Sequence, residues 1–165
     1  MTESDDHDPF NNPELAHPRA RELMTEPFFW DCVDEMAPFG SDEGAESYYE
    51  FRNWRLDRPD RPLTECFNWI LAGQLEQYND SLCSDEQVVQ DLKNPGAAFM
   101  ADSYDMFTLD VTIIATALSQ LMDEGKIDSS AKPYVQVALT RQKNPAVGFF
   151  ELPTLIAIER VVGAA

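Results

Sequence analysis

The sequence predicts an all-α fold, a compact bundle of six or seven short helices with an aromatic-rich loop near the N-terminus. Apolar residues recur at helical spacing in several segments, most strongly over 108–124. Strand-like alternation covers only 134–139, where the neighbouring residues suit a helix better. The 165 residues suffice for one closed core. We therefore expect a disordered acidic tail at 1–12 and a single helical domain at 13–165.

The N-terminal elements follow from caps and prolines. Asn12 before Pro13 is typical of an N-cap followed by proline in the first turn. A weak apolar stripe then predicts a helix up to about Met24, unless Pro18 resets its start. Residues 26–44 predict a loop that carries aromatic side chains, which either pack into the core or form a binding surface.

The later helices are separated by clear stop signals. They are predicted in order at about 42–56, 63–78, 84–93, 108–124, 129–142 and 153–162. Pro59 and Pro62 separate the first two, and Ser84 with Gln87 is typical of a capping box. Gly125 is a natural stop for the longest helix, whose seven inward apolar positions predict the centre of the core.

The charge balance excludes several classes of function. The chain has 12 basic and 30 acidic residues, a net charge of −18, of which −13 falls in residues 1–80. Binding to a nucleic-acid backbone or an anionic membrane surface requires basic clusters, so neither is expected. Apolar runs fall short of the ~20 residues of a membrane helix. The acidic N-terminus lacks the features of a signal peptide, which indicates a soluble cytoplasmic protein.

Residues for catalysis and metal binding are scarce. The phosphate-binding glycine loops and the common hydrolase motifs are absent from the sequence. The two histidines are His7, in the predicted tail, and His17, in a predicted surface helix. Cys32, Cys66 and Cys83 are odd in number and widely spaced, which favours reduced thiols. We therefore expect no cofactor, no metal and no catalytic residue.

The aromatic loop supplies the first candidate partner-binding residues. They are Trp30, Asp31, Asp34, Phe39, Asp42 and Glu43. The aromatic rings either fill the core or anchor a partner. The carboxylates either form a solvated acidic rim, contact a basic partner or hold a hard cation, although they lack the spacing of a calcium loop.

A series of arginines supplies the second candidate set. Arg52, Arg55, Arg58 and Arg61 recur at every third residue, and Trp54 lies among them. Guanidinium groups bind carboxylates bidentately and stack on aromatic rings, so Arg52, Arg55 and Arg58 are candidate anchors for an acidic group on a partner. The alternative is internal pairing with the nearby acids Glu50, Asp57 and Asp60.

One stretch carries a resemblance to known proteins. The pattern is H-P-x-A-x-x-L-M at 17–24, F-F-W-D at 28–31 and A-P-F-G-S-D-E-G at 37–44. It resembles uncharacterised bacterial proteins of the YfeS type. The resemblance implies a small soluble bacterial domain and implies no catalytic residue.

Together these observations favour a protein-interaction module over an enzyme. An acidic helical protein of the immunity-like or nucleic-acid-mimic type can occlude a basic protein partner by electrostatic complementarity. The alternative is a small hydrolase or metal-dependent enzyme that uses carboxylates near residues 31–43. A deep pocket lined by Trp30, Phe39 and convergent carboxylates would favour the enzyme.

Overall fold

A computed structural model describes residues 8–10, 12–93 and 106–165 of the chain. Within these ranges it contains seven α-helices, four short 3-10 helices and no strand, which confirms the all-α prediction. The α-helices are α1 (Pro18–Leu23), α2 (Asp42–Asp57), α3 (Leu63–Ile70), α4 (Asp85–Lys93), α5 (Met106–Glu124), α6 (Lys132–Gln142) and α7 (Leu152–Ala164). The 3-10 helices are Pro13–Leu15, Pro27–Trp30, Leu75–Gln77 and Asp80–Leu82.

The longest helix, α5, is the central element of the domain. α2 and α6 pack along it, α1 and α3 also contact it, and α7 packs on α6. The predicted apolar face of α5 is buried, and so are polar residues on its other sides, including Ser119 and Gln120. A helix surrounded by other helices must bury its whole circumference, whereas the apolar spacing indicated only one face.

Two helices are shorter than the sequence predicted. The first is split, because the residue before a proline disfavours helical backbone: His17 is extended and α1 begins at Pro18. The third ends at Ile70 because Ala72 and Gly73 follow with positive φ angles of 51° and 84°. The apolar spacing continues past this turn, so it predicted one long helix where the structure has a helix that ends at Ile70.

Side-chain caps fix the starts of α2 and α4. Ser41 Oγ accepts a hydrogen bond from the backbone N–H of Gly44 at 3.1 Å. Ser84 Oγ accepts from the N–H of Gln87 at 3.1 Å. The side chain of Gln87 donates to Asp91 instead of returning to the cap, so half of the predicted capping box forms.

The chain before residue 12 contacts the helices where it is described. Most of the tail predicted over residues 1–12 lies outside the described residues. Asp8 accepts a hydrogen bond from the Tyr49 hydroxyl at 3.3 Å, and the Phe10 ring lies 4.9 Å from the Phe39 ring, measured between centroids. Asp8 and Phe10 therefore pack against α2 and the loop before it.

A charged network is buried where α4, α5 and α6 meet. The Arg141 side chain is 0% exposed, and its guanidinium lies 3.0 Å from both Asp110 Oδ2 and Asp91 Oδ2. The Tyr78 hydroxyl donates to Asp110 Oδ1 at 2.5 Å, and Gln142 Nε2 donates to Asp110 Oδ2 at 3.3 Å. Since unpaired buried charges are costly, this pairing fixes how the segments that supply these residues fit together.

The environment of Asp110 favours its protonated form. Burial raises the pKa of this carboxyl to about 6, and the neighbouring Arg141 charge opposes the rise without cancelling it. The folded protein therefore takes up a proton at a higher pH than the unfolded chain, in which an aspartate has a pKa near 3.9. The stabilisation from this proton is present in full below about pH 4 and is lost as the pH rises through about 6.

Substitution of Leu118 tests the central place of α5. Leu118 is completely buried in the middle of the helix. We expect Leu118→Ala to lower the free energy of unfolding by ~2–5 kcal/mol, because it leaves a cavity where the surrounding helices close poorly. Urea denaturation measures the loss, with the exposed Ile156→Ala as a control that changes little. Equal effects of the two substitutions would contradict the packing.

A second prediction concerns the buried charges. Asp110→Asn should lower the free energy of unfolding at pH 7 by ~3–5 kcal/mol, since Arg141 loses one of its charged partners. The difference from the wild type should grow between pH 7 and pH 4.5, because only the wild type gains stability by protonating this group. Denaturation at three pH values measures it, with the exposed Asp57→Asn as control. A difference that stays constant with pH would show that Asp110 keeps an ordinary pKa.

Candidate functional site

The best candidate site is a cavity of about 250 Å³ between α2, α3 and α5. It is lined by Glu43, Glu46, Ser47 and Glu50 of α2, Trp69 and Ile70 of α3, and Leu109 and Thr112 of α5. The α2 wall carries three carboxylates, whereas the α3 wall is apolar. None of the described lining residues is basic. We call this the acidic cavity.

The acidic wall follows from the spacing of residues in α2. Glu43, Glu46 and Glu50 are separated by three and four positions, so they share one face of the helix. The opposite face carries Tyr48 and Phe51, which are buried in the core. Burial of these two rings against α5 leaves the glutamates at the mouth of the cavity.

Trp69 forms the apolar wall and is 55% exposed. The buried side of α3 is made of Leu63, Cys66 and Phe67, and Trp69 points away from it. The sequence contained a signal for this residue, since a tryptophan off the apolar stripe of a helix has no core position to fill. Large exposed aromatic groups mark binding surfaces more often than isolated aliphatic ones do.

The carboxylates of the α2 wall repel one another. Partial burial raises the pKa of Glu50, and the nearby charge of Glu46 raises it further. A cation bound between these groups would favour their ionised forms and lower the pKa of Glu50. The acidic cavity is therefore suited to a positively charged ligand with an apolar part.

The predicted acidic residues occupy two different places. Glu43 lines the acidic cavity, and the exposed Asp42 precedes it in the first turn of α2. Asp31 and Asp34 lie in the preceding loop and cap its backbone: Asp31 Oδ1 accepts hydrogen bonds from the N–H groups of Asp34 and Val33, at 3.0 and 2.8 Å. These two bonds hold the pKa of Asp31 below its usual value.

The aromatic residues of the loop are used mainly for packing. Phe39 is 0% exposed, so it has no surface to offer a partner. Trp30 is half-buried, and its indole N–H donates to the carbonyl of Met24 at 2.9 Å. Gly40 allows a close backbone approach, since a Cβ there would lie 1.5 Å from the carbonyl oxygen of Asp34. Its φ angle is not positive, so the close approach alone requires glycine here.

The arginine series is largely paired within the domain. Arg52 Nε lies 3.0 Å from Asp123 Oδ2, and Arg55 makes a bidentate pair with Glu124 at 2.8 and 3.2 Å. These acids end α5, where cations are also favoured by the helix dipole. They replace the sequence neighbours Glu50, Asp57 and Asp60 as partners. The exposed Arg58 stacks 5.7 Å from the Trp54 ring and, within the described chain, pairs with no carboxylate.

Other chemistry finds little support in the described ranges. No three His, Cys, Asp or Glu side chains gather there in a way that could hold a metal ion. Burial raises the pKa of the Cys66 thiol to about 12, so this group is a poor nucleophile. None of the helices described has the length and the apolar character that crossing a membrane would require.

Comparison with known proteins supports the resemblance seen in residues 17–44. The chain is 26% identical over 128 residues to the Uncharacterized protein YfeS of Escherichia coli (strain K12). The match covers 78% of this chain and 50% of that protein, so the chain spans about half the length of the curated relative. No protein-family model and no solved structure matches the chain. The similarity to a YfeS-type bacterial protein is thus confirmed.

Paired substitutions test whether the arginines stabilise the fold. Arg55 is paired with Glu124 and donates to the carbonyl oxygens of residues 58 and 61 at 3.0 and 2.6 Å. We expect Arg55→Ala to lower the free energy of unfolding by about 1–2 kcal/mol, because these groups lose charged hydrogen bonds. Arg58→Ala should change it by less than about 0.5 kcal/mol. Thermal denaturation of both variants measures the difference, and the reverse order would contradict the assigned pairs.

Proposed function

We propose that this domain is a non-catalytic protein-interaction module that binds a basic protein partner through the acidic face of α2. The observation that carries the proposal is the acidic cavity, in which three carboxylates face a half-exposed tryptophan. Interfaces combine an aromatic anchor with complementary charge in this way. A partner that presents both positive charge and apolar surface would satisfy both walls.

The distribution of charge supports the same face. The net charge of −13 in residues 1–80 produces a field that attracts basic proteins over distances longer than any contact. Because Arg52 and Arg55 are paired with acids of α5, they do not offset the carboxylates at the other end of α2. The immunity-like and nucleic-acid-mimic roles are the specific forms of this proposal, since both act by covering a basic site on another protein.

The arginine side of α2 supports a partner less well. An acidic group on a partner would have to displace Asp123 and Glu124 from guanidinium groups that they already bind. Only Arg58 offers a charge that no carboxylate within the described residues neutralises. Substitutions of these arginines can therefore be compared with substitutions of the glutamates in the binding experiment.

The enzyme alternative stays a prediction. It requires carboxylates near residues 31–43 that point together at a substrate. Asp31 instead accepts two local backbone hydrogen bonds, and Asp34 Oδ1 accepts one from the N–H of Met36 at 2.9 Å. Of the two aromatic residues expected to line the pocket, Trp30 and Phe39, Phe39 is buried away from solvent.

The proposal predicts salt-sensitive binding that depends on where the acids lie. The immobilised domain is incubated with a bacterial lysate at 0.05 M and 1 M salt, and captured proteins are quantified by mass spectrometry. We expect the capture of a basic protein to fall steeply, because the Debye length shrinks from above ~10 Å to ~3 Å across this range. The triple variant Glu43→Gln, Glu46→Gln and Glu50→Gln should lose the same protein at low salt.

A matched control separates a specific face from general attraction. The variant Glu14→Gln, Glu76→Gln and Glu86→Gln removes three exposed acids outside the cavity and has the same net charge as the first. It should keep most of the captured protein. Equal loss in both variants, or capture that does not change with salt, would refute the proposed face. If only the variant Arg52→Ala, Arg55→Ala and Arg58→Ala fails to capture the protein, the arginines and not the glutamates form the contact.

A further inference from the structure

We propose that the acidic cavity binds a lysine side chain displayed on the surface of the basic partner. This inference rests on the proposed function and names the chemistry of its contact. The two walls of the cavity differ in kind, because α2 supplies carboxylates and α3 supplies the ring of Trp69 beside Ile70. A ligand that lies between them must be charged on one side and apolar on the other.

A lysine side chain has this division of character. Its four methylene groups can lie against the indole and Ile70, while its ammonium group reaches the carboxylates of α2. A cation close to a tryptophan face gains further stabilisation from the ring. The volume of about 250 Å³ accommodates one lysine side chain.

The described residues that line the cavity supply no positive charge to its acidic wall and leave the ring of Trp69 half-exposed. The glutamates of α2 have no basic side chain among the described residues that line the cavity. The floor is apolar at Leu109, which is 1% exposed, so an ammonium group should stay near the mouth, where the glutamates lie. The indole of Trp69 is exposed to water at a cost that a bound methylene chain would remove.

The arrangement of acids favours lysine over arginine. The glutamates stand at successive positions along one helix face, so they present separate single charges. An ammonium group has three donors that rotate freely and can serve separate acceptors. A guanidinium group prefers one carboxylate in its plane, and its remaining N–H groups would meet the apolar wall without partners.

The test uses the ¹⁵N-labelled chain and a defined probe, Nα-acetyl-lysine N-methylamide, at 0.1 M salt. We expect the probe to shift the indole N–H resonance of Trp69, assigned with Trp69→Phe, and the backbone amides of residues 43–50. The norleucine analogue, which has the same stem without the ammonium group, should shift neither. The variant Glu46→Gln with Glu50→Gln should bind the probe about fivefold more weakly, while Glu76→Gln with Glu86→Gln leaves the affinity unchanged.

Several outcomes would overturn the lysine site. One is that the shifts spread over the acidic surface and do not change in the variant Glu46→Gln with Glu50→Gln. The others are equal resonance shifts with the arginine analogue and no shift of the Trp69 resonance. Much tighter binding of free 1,5-diaminopentane than of the lysine probe would assign the cavity to a small diamine instead of a protein. One result would support the interaction module and refute the lysine site. In it, the variant Glu43→Gln, Glu46→Gln and Glu50→Gln loses the captured partner, while the lysine probe does not shift the Trp69 resonance. If the probe binds in the cavity and no basic protein is captured, the proposed role as an interaction module is refuted.

Discussion

The pairing of the buried Arg141 guanidinium with Asp91 and Asp110 is the constraint on which the helical arrangement depends. Separating a buried cation from its anions would leave uncompensated charges in the interior, so α4, α5 and α6 have little freedom to slide or rotate. The same guanidinium donates to the carbonyl of Leu82 at 2.6 Å, which fixes the turn before α4. In α4 only Val88 and Asp91 are buried, so this helix is held as much by charge as by apolar contact.

The position of α5 that results determines where the acidic cavity forms. α2 lies along α5, where the Tyr48 hydroxyl donates to Asp123, and α3 also contacts α5 and buries Leu63 and Phe67. Leu109 and Thr112 of α5 line the cavity together with residues of α2 and α3. The cavity is thus a consequence of how two helices pack on a third, and its chemistry comes from the residues that core packing leaves uncovered.

α2 separates its charges along its length. Its first half carries the glutamates of the acidic cavity, while Arg52 and Arg55 in its second half meet the carboxylates at the end of α5. Because the positive charges are neutralised within the domain, the negative face remains open to a partner. α2 therefore stabilises the fold through its ion pairs and also presents the proposed binding surface.

Local patterns in the sequence determined the position of most helices, the cap at Ser84, the central place of residues 108–124 and the acidic character of the chain. These depend on residues within one or two turns of each other, and helical periodicity reports them directly. Tertiary structure alone decided that Phe39 is buried, that Trp69 lines one cavity with the glutamates of α2, and that Arg55 pairs with Glu124, 69 residues away. Apolar spacing shows that a helix has a buried face. Which polar side chains meet inside, and which remain at the surface, is decided by contacts between helices far apart in the chain, and no local pattern records them.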